Sequence, residues 1–199
     1  MKRLDFLEIG TSDFDTLIEL AGPDSIGVSV EPVKYYYDRL PDKSGVKKLN
    51  VAISDKRGSG KIYYIPPDTI KELGLFKDYR GCNCLNTPHP TVVQSLLNLG
   101  YNPDEFFVEE DVCILKYSDL VALCGFSEVK YCKIDTEGHD CKVIKSILDY
   151  GDVLPERIKF ESNTLSKTKE IAATILRLKH SGYKVIEQSR TDTTVQFCI

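Results

Sequence analysis

Asp135-Thr136-Glu137-Gly138-His139-Asp140 packs four ionisable groups into six consecutive positions. The apolar run Val129 to Ile134 (V-K-Y-C-K-I) leads into them and is predicted to be a strand. Carboxylates this close together are costly unless they face a cation, hydrogen-bond donors or one another. A helix beginning at His139 would explain Asp140 through the helix dipole, but it does less for Asp135. Glu161 ends the next predicted strand, Arg157 to Glu161, and falls beside the cluster. Two kinds of chemistry suit the group. Asp135 or His139 can act as a general base. Asp135, Glu137, Asp140 and Glu161 also offer hard oxygens to a divalent cation.

A second constellation lies near the N-terminus. Glu8-Ile9-Gly10-Thr11-Ser12-Asp13 stands where a first predicted strand, Leu4 to Ile9, turns toward a helix. Ligands of open α/β sheets bind beyond such strand ends, and a glycine there lets a ligand approach the backbone. Positions 10, 12 and 15 are Gly, Ser and Asp rather than three glycines. The turn is therefore read as cradling a ligand without phosphates. Glu31 ends the second predicted strand, 21 positions after Gly10, where a carboxylate can accept both hydroxyls of a ribose. A solvated strand-end carboxylate is the plainer alternative. His89, in Thr87-Pro88-His89-Pro90, is a further base candidate or a turn residue, whereas His180 reads as a helix end. Asp13-Phe14-Asp15 could hold a nucleotide-sugar metal, although helix capping suffices for it. Cys82-Asn83-Cys84 brings two thiols together but lacks the four ligands of a structural zinc site.

The elements that must position these residues alternate. Helices are predicted at Asp13 to Leu20, capped by Ser12 or Asp13, and at Val33 to Leu40. Strands are predicted at Ile26 to Glu31, Val46 to Ile53, Lys61 to Ile65 and Val112 to Lys116. Further helices follow at Ser118 to Cys124, His139 to Asp149 and Ser166 to His180. Two adjacent strands, Tyr183 to Glu187 and Thr194 to Cys198, close the chain as an antiparallel hairpin. Alternation of this kind implies a mainly parallel sheet covered on both faces. Residues 68–111 break the rhythm and are read as a long insertion with one helix near Thr91 to Leu99, of the kind that forms lids and binding loops.

The 199 residues suit one domain, and 42% hydrophobic with 28% charged residues marks it as globular. A net charge of -4 provides no global attraction to nucleic acid or to an anionic membrane. No apolar run approaches the roughly 20 residues of a membrane span. Seven cysteines, an odd number, read as free thiols in a reducing cytoplasm. The abrupt ends suit either a domain cut from a longer protein or a naturally compact small enzyme.

Four blocks together resemble the FkbM family of S-adenosylmethionine (SAM)-dependent methyltransferases. They are Leu7-Glu8-Ile9-Gly10, Val30-Glu31-Pro32, Asn50 to Asp55 (N-V-A-I-S-D) followed by Gly58, and Asp135 to Asp140. The first block carries fewer glycines than that family's usual motif, with Ser12 and Phe14 in the turn. The resemblance implies a three-layer, Rossmann-like class I methyltransferase fold with a seven-stranded sheet. It implies SAM as cofactor and methyl transfer to a hydroxyl of a small or sugar-like acceptor. By position it assigns Glu8, Gly10 and Ser12 to the methionine part of SAM and Glu31 to the ribose. Ala52, Ile53 and Ser54 then flank the adenine, and Asp135 faces the sulfonium and the acceptor. A saccharide acceptor is expected because Tyr35-Tyr36-Tyr37, Tyr63-Tyr64 and Tyr79 offer rings that can stack on sugars. With this resemblance the trimmed ends would also suit a methyltransferase domain fused to glycosyltransferase domains, as in large-DNA-virus glycan enzymes, which would place the chain in a host cytoplasm. The competing readings are a nucleotide-sugar glycosyltransferase, a nicotinamide dehydrogenase and a non-catalytic nucleotide-binding domain.

Overall fold

The structure, a computed structural model, describes residues 2–198. In chain order the elements are β1 (Lys2–Ile9), α1 (Leu17–Leu20), β2 (Gly27–Val30), α2 (Lys34–Tyr37), β3 (Val46–Leu49), β4 (Ala52–Ile53) and β5 (Gly58–Tyr64). Then come α3 (Pro67–Glu72), β6 (Cys84–Leu85), α4 (Pro90–Asn98), β7 (Val108–Leu115), α5 (Tyr117–Cys124) and β8 (Phe126–Ile134). The chain continues through α6 (Asp140–Tyr150), β9 (Arg157–Glu161) and α7 (Thr168–His180) to β10 (Tyr183–Gln188) and β11 (Asp192–Phe197).

The fold is α/β, with a seven-stranded sheet in the order β10-β11-β9-β8-β1-β2-β3. All neighbours are parallel except β11, which runs antiparallel to both β9 and β10. The expected C-terminal hairpin is therefore present, and its second strand is inserted inside the sheet. Alternation along β1 explains the layering. Leu7 and Ile9 join the main core with Leu120 and Val121 of α5, Val143, Ile144 and Ile147 of α6, and Leu178 of α7. Phe6 points to the other face and packs with Ile18 and Leu40.

Four expectations need correction. Helices α5, α6 and α7 cover one face, but only α1 and the segment to Leu40 cover part of the other. Tyr131, Arg157, Lys159, Asp192 and Thr194 line an open polar hollow, so the sheet is not sandwiched across its full width. The strand expected at Val46 to Ile53 is two strands. β3 ends at Leu49, and β4 joins a second sheet in the order β4-β7-β5-β6. The Asn50 side chain holds this break by donating to the carbonyls of Glu31 and Pro32. Residues 68–111 are not irregular. They contain α3, β6 and the expected α4, and Ile65, Ile70, Val92 and Leu96 form a small core of their own. Finally, α1 begins at Leu17, not Asp13, and Thr16 caps it by accepting from the Glu19 amide at 3.2 Å. Ser12 and Asp15 both have φ of +54°, a left-handed conformation that no helix can run through. No helix among the described residues is long and apolar enough to cross a membrane.

Candidate functional site

The carboxyl ends of β1, β2 and β8, together with β4 and the 68–111 segment, enclose one cleft of about 790 Å³, counting the space open to solvent. Gly10, Ser12, Glu31, Ala52, Ile53, Asp135, Glu137 and His139 all line it. Residues separated by more than a hundred positions therefore share one wall.

The turn after β1 is organised by Glu31. Its Oε2 accepts from the Thr11 and Ser12 amides at 3.1 and 2.6 Å, and its Oε1 from the Val33 amide at 2.8 Å. Burial nevertheless pushes the carboxyl up to about 7. Gly10 has φ of +83°, and a Cβ there would lie 1.8 Å from the Asp135 carbonyl oxygen. Packing of β1 against β8 thus requires the glycine, whether or not a ligand approaches it. Ser12 Oγ is buried with no partner among the described residues.

Glu8 does not line the cleft. It is fully buried, accepts from the Leu17 amide at 2.9 Å, and lies 3.3 Å from Lys133 Nζ. Burial raises its carboxyl to about 7 against the pull of Lys133. Its role is to tie α1 to β8 beneath the site. Lys133 itself lines the cleft, with Nζ 4.0 Å from Asp135 Oδ2 and 2.9 Å from the Asp15 carbonyl. Sequence reasoning passed over Lys133, although its two-residue spacing from Asp135 was a usable signal.

The loop after β8 separates the four ionisable groups. Asp135 faces the cleft, and burial with the neighbouring Glu137 raises it to about 6. Asp140 turns inward. Its oxygens accept from Thr136 Oγ1 at 2.9 Å and from the Glu161 amide at 3.1 Å, locking the loop to β9. Turned away from the cleft wall and outside the group of converging carboxylates, Asp140 drops out of the expected metal set. Asp135, Glu137 and Glu161 do converge, with oxygens within 4.8 Å of one another. Burial and the surrounding carboxylates push Glu161 up to about 9, and its Oε2 has no partner among the described residues.

The histidines have different surroundings. His139 Nε2 lies 2.9 Å from Ser54 Oγ, so Ser54 supports the wall from behind rather than lining it. Burial and Lys142 depress His139 to about 4. An imidazole so depressed is neutral at ordinary pH but a weak proton acceptor, which removes the reason for choosing it as the base. His89 is buried, with Nε2 3.2 Å from Glu137 Oε2. It stands behind Glu137 rather than in the cleft wall.

The 68–111 segment closes the cleft through Gly81, Asn83 and Leu85. Arg80 stacks 4.2 Å over the Phe14 ring and approaches Asp13 at 3.8 Å, so Asp13-Phe14-Asp15 meets a protein cation in place of a metal. The tyrosines behind the saccharide expectation do not reach the cleft. Tyr36 packs edge-on against Tyr35 and Tyr64, while Tyr79 bonds Ser95 at 2.7 Å. The aromatic ring in the wall is Phe14.

Comparison with protein-family models and with curated proteins gives no match to this chain.

Proposed function

We propose that this chain is a SAM-dependent O-methyltransferase acting on a hydroxyl-bearing small acceptor. One observation carries the reading. The four sequence blocks that resemble the FkbM family converge on a single cleft, through Gly10, Glu31, Ala52 with Ile53, and Asp135. The strand order supports it as well. Numbered within the large sheet, the order is that of a doubly wound sheet, with an antiparallel strand inserted between the fifth and sixth. That insertion suits the class I methyltransferase fold.

The cleft chemistry fits SAM better than a phosphate-bearing cofactor. Val51, Ala52, Ile53, Ile62 and Leu85 form an apolar slot suited to a flat base. Glu31 sits where a ribose can be held. Asp135 and Glu137 give the far end the negative charge that a sulfonium favours. The Gly10 turn lacks the glycines of a pyrophosphate cradle, which counts against nicotinamide and nucleotide-sugar ligands.

When bound, SAM supplies an already activated methyl group. The residues of this chain then have to orient the acceptor, and orientation can account for roughly 7–11 kcal/mol of a barrier. Asp135 faces the cleft with its carboxyl raised and is the residue assigned to take the hydroxyl proton. The Asp135 and Glu137 carboxylates offer acceptors to a polyhydroxyl molecule such as a saccharide.

Calorimetry with SAM, followed by transfer of radiolabelled methyl to a panel of glycans, tests this reading. Wild type is expected to bind SAM and to methylate one class of acceptor. Asp135→Asn is expected to lose about 10²–10⁴ in turnover. Absence of SAM binding, or tight binding of a UDP- or GDP-sugar in its place, would sink the proposal.

A further inference from the structure

We infer that Cys82, His89 and Glu137 form a binding site for a divalent transition-metal ion of the zinc type. One donor atom from each, a thiol sulfur, an imidazole nitrogen and a carboxylate oxygen, lies within 4.8 Å of the other two. Around a tetrahedral ion with bonds of about 2.0–2.3 Å, neighbouring donors stand roughly 3.3–3.6 Å apart. His89 Nε2 lies 3.2 Å from Glu137 Oε2, so the imidazole and the carboxylate are already side by side.

The donors come from separate parts of the chain. Cys82 and His89 belong to the 68–111 segment, and Glu137 to the loop after β8. The Cys84 thiol donates to the Glu137 backbone carbonyl at 3.5 Å and so ties β6 to the loop that carries Glu137. Nothing in the local sequence requires these groups to meet.

A second observation is independent of the convergence. His89 is only 4% exposed, yet its Nδ1 has no hydrogen-bond partner among the described residues. A buried polar atom left this way marks an environment that something else completes. An ion takes only one imidazole nitrogen, and an ion on Nδ1 would complete that buried atom while Nε2 keeps its contact with Glu137; among the described residues no Lys or Arg side chain is paired with Cys82, His89 or Glu137.

The donor set selects the ion. Thiolate and imidazole favour zinc or its analogues, while magnesium and calcium prefer oxygen alone. Three protein ligands leave a fourth position open, the pattern of sites that bind a water or a reacting group and not of closed structural sites. Glu137 belongs to this trio and also to the Asp135–Glu137–Glu161 group, so one ion on the Cys82 side would relieve the crowding of both. The site stands independently of the methyltransferase reading.

Cobalt(II) is the probe, because a thiolate ligand gives it a charge-transfer band that carboxylates do not. The metal-stripped chain is expected to bind one equivalent of Co²⁺ with that band, and Zn²⁺ is expected to displace it. Cys82→Ser should abolish the band. His89→Ala and Glu137→Gln should each weaken Zn²⁺ binding by about 100-fold. A measurement on the unmutated chain guards against misfolded variants. Zn²⁺ should slow alkylation of Cys82 while leaving the exposed Cys113 and Cys198 unaffected. Alkylation of Cys82 at the same rate with and without Zn²⁺ would overturn the site. So would Mg²⁺ binding with no cobalt–thiolate band, which would put the cation on the carboxylates alone.

Discussion

Glu31→Ala is the most informative substitution. Sequence alone predicts that it weakens SAM binding by roughly 1–3 kcal/mol and spares the fold. The three amides that Glu31 holds, those of Thr11, Ser12 and Val33, change that expectation. Alanine leaves all three without an acceptor, two of them on the buried residues Thr11 and Val33. At about 1–3 kcal/mol for each buried donor left unpaired, and with water reaching the half-buried Ser12, the loss comes to roughly 2–6 kcal/mol. For a chain of this size that corresponds to a melting temperature lower by about 4–24 °C. Glu31→Gln keeps one carbonyl oxygen and turns an N–H toward at least one of the same amides, so its loss is expected to be about 1–3 kcal/mol. Chemical denaturation of wild type and both variants, with SAM calorimetry on whichever stays folded, measures the two effects separately. A Glu31→Ala chain with wild-type stability would refute the view that this carboxylate builds the turn. A stable Glu31→Gln chain with unchanged SAM affinity would remove Glu31 from the ligand site while leaving its structural role.

Two further predictions rest on equally local geometry. Gly10→Ala is expected to destabilise the fold by about 3 kcal/mol or more, since its Cβ would overlap the Asp135 carbonyl and its φ of +83° is left-handed. A urea midpoint within error of wild type would show that the β1–β8 contact yields more easily than argued. Glu8, held at about 7 against an ordinary value of 4.5, makes stability depend on pH. A carboxyl raised by folding contributes stability that is complete below about 4.5 and is lost as pH rises through about 7. Glu8→Gln should therefore flatten the fall in stability between those values, and denaturation series showing the same slope in both chains would contradict the burial argument.

The residue types that could do chemistry were legible along the chain because strand ends in an alternating α/β pattern share one edge of the sheet. Gly10, Glu31 and Asp135 needed only three apolar runs and their terminal residues to be placed there. The closing hairpin was legible too, since Tyr183 to Glu187 and Thr194 to Cys198 leave no room for a crossover helix. What the local pattern does not carry is which way each neighbour turns once the strands pair. Asp140 and Asp135 stand in one acidic cluster in the sequence, yet Asp140 is drawn inward by Thr136 and the Glu161 amide. Glu8 and Glu31 both end or nearly end a strand, but strand alternation aims Glu8 at Lys133 and α1 and away from the cleft. The split between β3 and β4 depends on Asn50 bonding across to Glu31 and Pro32, a long-range contact with no local signature. The meeting of Cys82 and His89 with Glu137 depends on the small core of Ile65, Ile70, Val92 and Leu96 that folds residues 68–111 back onto the sheet edge. Periodicity reports which face of an element is buried. Only the packed chain decides which distant polar groups are buried together.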